Sequence, residues 1–386
     1  MHLFIIEHYT NLDSLAPVIH KLSSNNEKVF VFGTHPFKHF KDEKLVKFLL
    51  NSNKNIHYEN YLPLGIKEKL LIFIINLISL MPKKFICGQS FWLKISRKIL
   101  LINENKILEF IKKKKIASIS FEDSILKKKQ ILIKKISVKA KIPLIIIYPS
   151  SYGHIYNKKV SNTFSLDLAD FNLISNNLSN ASFSNNKKNF FFGMARYNLE
   201  WLKILDKIYN KIESDDNMIK IAAFSNNKQK NYKKFKQIID NLKTLNYIQV
   251  IERNKPKDNL PKKCSKFQND KYSTTQIINW CDLIFFNMNS SVFVEALIKN
   301  KTIVYLKSLD DFDDRTIDDN YLNIKNIFYK LDDYNQLLNF IELIKKNPQK
   351  KNNIKNYSEA IEEMSSYNYK NLYKFLEFYK NINAIK

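Results

Sequence analysis

Short runs that are apolar on both faces recur along the chain, with amphipathic stretches between them; PLIIIY (Pro143–Tyr148) and IASISF (Ile116–Phe121) are two examples. Such a run suits a strand covered by helices on either side, as in a parallel sheet. In the first 150 residues we read strands at His2–Ile6, Lys28–Gly33, Ile56–Glu59, Ile116–Phe121 and Pro143–Tyr148. Helices are expected at Leu12–Ser23 and Glu43–Asn51, in two or three pieces over Ile66–Lys114, and, after the Ile116–Phe121 strand, a Lys-rich one to Lys139. The pattern dissolves between Tyr152 and Lys188 and then resumes. Strands follow at Met218–Phe224, Tyr247–Glu252, Leu283–Asn287 and Thr302–Leu306, again alternating with helices. Alternation in both halves predicts an α/β protein of two parallel-sheet domains. The expected division is 1–160, a linker over 161–188, a second domain over 189–355, and a helix within 356–386 that packs back toward the first domain.

Composition matters here mainly for judging charge. The 386 residues carry 63 Lys+Arg against 37 Asp+Glu, a net charge of +26. Only Arg97, Arg196, Arg253 and Arg315 are arginine. Asn, Ile, Lys and Phe are abundant and only 5 glycines occur, so lysine is close to background and says little about a partner. An Arg or a Gly is more informative, because it stands where Lys or Asn would fail chemically or sterically. Nucleic acid is therefore not an expected partner, while peripheral contact with an anionic membrane is. The apolar segment Leu70–Met81 is too short to span a bilayer and reads either as a buried helix or as an interfacial one beside Lys67, Lys69, Lys83 and Lys84. Without a leader-like N-terminus, and with Cys87, Cys264 and Cys281 scattered, the chain reads as cytoplasmic.

Ligands of open α/β sheets bind outside the carboxyl ends of the strands, so the loops there hold the candidates. In the second domain the segment Trp280–Leu306 gives strand, polar loop and helix, with Ser290 and Ser291 at the helix start and Glu295 one turn in. Unpaired N–H groups at such a start suit a phosphate, and Glu295 suits sugar hydroxyls; an ordinary capped helix is the other reading. Gly193 and Arg196 lie at a strand–helix turn, where Gly allows a tight backbone and Arg can clamp a phosphate or pair with a carboxylate such as Glu200. Arg253 follows the Tyr247–Glu252 strand. In the first domain Glu7 and His8, Gly33-Thr34-His35, Glu122 and Asp123, and His154 end or follow strands. Asp123, Glu122, His8 and His154 are the candidate catalytic bases. Asp310–Asp314 reads as a solvated acidic loop, and no metal is expected.

The run DLIFFNMNSSVFVEALIKNKTIV, residues 282–304, resembles the donor-binding segment of GT-B glycosyltransferases that build bacterial surface polysaccharides (capsule and lipopolysaccharide). Asn300-Lys301-Thr302 stands where that family has Gly-Lys-Pro. Gly193-Met-Ala-Arg196 followed by Glu200-Trp201 is similar to a Gly-x-x-Arg…Glu-Trp pattern of surface-carbohydrate transferases. The resemblance implies two Rossmann-like domains facing each other across a cleft, with Gly193, Arg196, Arg253, Ser290, Ser291 and Glu295 toward a nucleotide-sugar donor. It implies transfer to a glycan or lipid-linked acceptor, with the nucleotide-sugar as substrate and no cofactor. A UDP-sugar 2-epimerase of the same fold, needing carboxylates and histidines around the sugar, is the alternative; a non-catalytic glycan- or nucleic-acid-binding protein is another.

Overall fold

The computed structural model describes residues 1–35, 40–79, 101–148, 168–174, 189–213, 215, 217–225, 230–254, 272–286, 292–309, 329–347 and 372–385. The chain divides into two compact units: Met1–Leu202 with Lys257–Lys266 and Asn368–Lys386, and Lys203–Pro256 with Phe267–Tyr367.

The first unit contains β1 (His2–Ile6), α1 (Tyr9–Ser24), β2 (Val29–Gly33), α2 (Lys44–Ser52), β3 (Ile56–Glu59), α3 (Ile66–Ser79) and α4 (Glu104–Lys114). It continues through β4 (Ser118–Glu122), α5 (Lys127–Ala140), β5 (Leu144–Ile147), β6 (Phe171–Ile174), β7 (Asn189–Phe191) and the start of α6 (Leu199–Ile208). Its seven strands are ordered β3-β2-β1-β4-β5-β6-β7, and all neighbouring pairs are parallel. Apolar side chains cover both faces, as the sequence pattern requires. On one, Leu3, Ile5, Phe30, Phe32, Ile119 and Phe121 pack with Ile107 and Ile111 of α4 and Ile133 and Ile136 of α5. On α1, Leu15, Val18, Ile19 and Leu22 are buried.

The second unit holds β8 (Ile219–Ser225), α7 (Tyr232–Lys243), β9 (Ile248–Asn254), α8 (Thr274–Trp280), β10 (Leu283–Phe286), α9 (Val292–Ile298), β11 (Thr302–Leu306), β12 (Tyr329–Leu331) and α10 (Tyr334–Lys346). Its strand order is β12-β11-β10-β8-β9, again with parallel pairs. Phe235 of α7 stacks on Phe285 of β10 at 4.8 Å, within a core that includes Ile221, Val304, Leu337 and Ile341. The expected α/β class with two parallel sheets is what the chain adopts.

The expected linker differs from the sequence reading. Within the expected linker, Phe171–Ile174 is a buried strand paired to both β5 and β7. Four residues among Asn and Ser are too few to show a period, yet they are covered on both sides. As a result, Asn189–Phe191 closes the first sheet and does not open a second domain, and Gly193 and Arg196 count with the first unit. Then α11 (Tyr373–Lys380), followed by the short α12 (Ile382–Ile385), also belongs to the first unit. Phe378 of α11 meets the rings of Phe171 at 5.4 Å and Phe190 at 5.1 Å, and the Tyr379 hydroxyl bonds to the Ser120 hydroxyl at 2.7 Å. Among the described residues no helix is long and apolar enough to cross a membrane.

Candidate functional site

Strand order in the first sheet turns around between β1 and β4, whose register pairs His2 with Ser118 and Ile5 with Phe121. A crevice opens beyond the carboxyl ends of strands at such a switch point. The residues there are Glu7 and His8 after β1, Thr34 and His35 after β2, and Glu122, Asp123 and Ser124 at the end of β4.

A buried amide holds this cluster together. Asn11, in the first turn of α1, accepts the backbone N–H groups of Glu7 at 3.0 Å and His8 at 2.8 Å, which fixes the turn after β1. Its Nδ2 donates to the Glu122 carboxyl and to the Ser124 hydroxyl, the latter at 2.7 Å. Ser124 in turn donates to Glu122 Oε2 at 2.9 Å. A fully buried lysine forms the second tie. Lys129 of α5 reaches Glu7 Oε1 at 2.5 Å and the Thr34 carbonyl at 2.9 Å, while the Leu126 N–H donates to Glu7 Oε2 at 2.8 Å. Two charges out of water are tolerated only with this degree of pairing and hydrogen bonding. The tie joins the turn after β1 to the turn after β2, and across it the rings of His8 and His35 lie edge to face at 5.8 Å.

Glu122 is buried, and that burial pushes its carboxyl up to about 8. The neighbouring carboxylates of Asp123 and Asp13 push the same way, against the Ser124 hydrogen bond and the Arg196 guanidinium. A carboxyl poised there can give or take a proton at neutral pH, which an ordinary glutamate cannot. Asp123 is half-buried beside it, and its carbonyl accepts from Gln130 at 2.7 Å.

The glycines explain how the loops approach. A Cβ on Gly33 would sit 2.5 Å from the Asn60 carbonyl oxygen, so only glycine fits at the end of β2. Gly193 has φ 83°, the left-handed region that side chains avoid. From this turn Arg196 pairs with Asp13 at 2.6 Å and lies over the Tyr197 ring at 4.7 Å. Glu200, the carboxylate named as the alternative partner, is instead held by Lys21 at 2.9 Å.

The remaining candidates lie in the second unit or outside the described residues. Glu295 is buried in the first turn of α9. Arg253, near the end of β9, donates to the Tyr272 carbonyl. Ser290, Ser291, His154 and the Asp310–Asp314 loop lie outside the described residues. The structure thus brings together His8, Glu122 and Asp123, with Arg196 electrostatically linked to Glu122, and leaves Glu295 and Arg253 in a separate unit. Asn11, Ser124 and Lys129 are additions that the sequence did not mark. Asn11 sits three residues after His8, the place from which a side chain caps a helix start, and that was the available signal; Lys129 is one of three successive lysines and had none. Among the described residues no three His, Cys, Asp or Glu side chains group as a metal ion would need.

No protein-family model matches the chain, and no curated protein does. Solved structures do. A UDP-N-acetylglucosamine 2-epimerase of Methanocaldococcus jannaschii, crystallised with UDP-GlcNAc and UDP, is 12% identical over 100% of both chains, with a TM-score of 0.56. Another UDP-N-acetylglucosamine 2-epimerase is 10% identical over 100% of this chain and 98% of its own, at 0.57. The glycotransferase of kitacinnamycin is 10% identical over the same shares, at 0.52. At such identities the likeness shows the fold alone: an α/β chain of GT-B type with two parallel sheets.

Proposed function

We propose that the chain is a nucleotide-sugar epimerase, inverting the carbon next to the anomeric centre of a UDP-sugar. The observation that carries this reading is Glu122, a buried carboxyl raised to about 8 at the switch point of the first sheet, among Glu7, His8, His35 and Asp123. Inverting a C–H centre requires that a proton leave one face and another arrive on the opposite face, so groups that exchange protons near neutrality must surround the sugar. Carboxylates and histidines converging on one crevice meet that need. Glu122 is the principal acid–base group; His8 and Asp123 are the candidates for the second proton. Arg196 is a cation of the same unit, and Glu295, Arg253 and the Ser290–Ser291 helix start are assigned to the nucleotide half of the substrate. Structural neighbours carrying the epimerase name support the same direction.

The test is solvent exchange. Incubated with UDP-GlcNAc in D₂O, the protein should place deuterium at C2 of the sugar and form the C2 epimer. Glu122→Gln should slow both at least hundredfold. Glycosyl transfer is the second reading, favoured by the 282–304 segment and by one neighbour named a glycotransferase. Release of UDP with the sugar moved to an acceptor, and no deuterium at C2, would replace epimerisation by transfer.

A further inference from the structure

Helix α3 is built inside out. Ile66, Leu70, Phe73 and Leu77 are exposed at 88%, 59%, 59% and 50%, and Ile74 at 44%. With 3.6 residues per turn these five fall within an arc of about 100° on one side of the helix. Ile75, on the opposite side, is only 3% exposed and faces the protein. Lys67 and Lys69 are both exposed, and the same helical geometry sets one on each margin of the apolar arc. Glu68, the acid between them, is turned to local use: it accepts the Gly65 N–H at 2.9 Å and the Asn103 amide at 3.1 Å.

We propose that α3 is a docking helix for an anionic lipid surface, lying in the plane of the bilayer with its apolar arc among the acyl chains and its lysines at the headgroups. Its 14 residues reach about 21 Å, short of the roughly 30 Å of hydrocarbon, so the helix fits along the surface and not through it. An apolar stripe bordered by lysines is the pattern of interfacial helices. The lysines on the arc margins select this occupant over a second copy of the chain: anionic headgroups attract them, whereas a second copy would set the same lysines against each other. Docking does not depend on the reaction assigned above.

The full chain is mixed with vesicles of phosphatidylcholine containing a third phosphatidylglycerol, or of phosphatidylcholine alone, and pelleted. Wild-type protein should bind the anionic vesicles and leave the neutral ones. The double variant Leu70→Ser/Phe73→Ser should bind at least tenfold more weakly, and Lys67→Glu/Lys69→Glu likewise. Because all four positions are exposed, circular dichroism and the thermal midpoint should stay at wild-type values. Absence of vesicle binding overturns the proposal. So does binding that Leu70→Ser/Phe73→Ser leaves intact, which would be mere adsorption of a basic protein. A dimer in sedimentation that this variant abolishes, without vesicle binding, would assign the face to a second copy instead.

Discussion

The two parallel sheets are made from the same apolar residues, yet their carboxyl ends are furnished differently. In the first unit the turns after β1, β2 and β4 are tied by buried polar groups: Asn11, Glu7, Lys129 and Glu122 form a continuous set of hydrogen bonds and one ion pair. In the second unit two polar groups at the end of β9 have local partners. Arg253 donates to the Tyr272 carbonyl, and Glu252 takes Lys236 at 2.8 Å on the face of β9. Continuity is the difference that matters, since Glu252 and Glu295 of the second unit are also largely buried. A continuous buried network fixes geometry across several turns at once, whereas a single local pair fixes only the two elements it joins.

If that contrast is right, the first unit should respond sharply to single substitutions and the second weakly. Lys129→Met should have the largest effect, destabilising the first unit by about 3–5 kcal/mol in urea unfolding, because it leaves the Glu7 carboxylate buried without its cation. Glu122→Gln should cost at least hundredfold in turnover, equivalent to about 2.7 kcal/mol, and remove the pH dependence centred near 8 while the fold persists.

The same substitution tests stability against pH. Burial favours the protonated carboxyl, so the folded wild-type chain holds this proton up to about 8, while an unfolded glutamate releases it near its ordinary value of 4.5. Wild-type stability should therefore fall as pH rises between those values, and Glu122→Gln should escape the fall. Each pH unit in the window is worth about 1.4 kcal/mol at most. Thermal midpoints at pH 5 and pH 9 measure it; a Gln variant that tracks wild type at both would remove Glu122 from the argument. Asn11→Ala should come next, at about 1–3 kcal/mol, since it strips a buried carboxyl and two N–H groups of their partner. The smallest effect belongs to the second unit. Arg253→Ala should lower its unfolding free energy by less than about 1 kcal/mol, and a larger loss would show that the second unit is tied as tightly as the first.

Sequence periodicity located most strands because runs such as IASISF and PLIIIY carry their burial openly. It missed Phe171–Ile174, where FNLI is too short to stand out among Asn and Ser, and with it the true extent of the first sheet. The site was legible in part. Glu122 could be singled out because it ends a strand, and His8 for the same reason. What could not be read was the support beneath them. Lys129 lies in KKKQ, where three lysines look alike, and only the packing of α5 distinguishes the one that is buried from Lys127 and Lys128, which are exposed. Arg196 stood out through the rarity of arginine, but its partner, Asp13, lies 183 positions away and no spacing announces it.

The docking of α11 carries a consequence for synthesis. Domains generally fold in order as they leave the ribosome, the first to emerge settling first. Here the helix that covers Phe171 and Phe190, and whose Tyr379 reaches Ser120 in the fourth strand, is translated only after the whole of the second unit. During elongation the nascent first sheet therefore waits with one aromatic face bare, open to chaperones, until residues near 380 clear the exit tunnel.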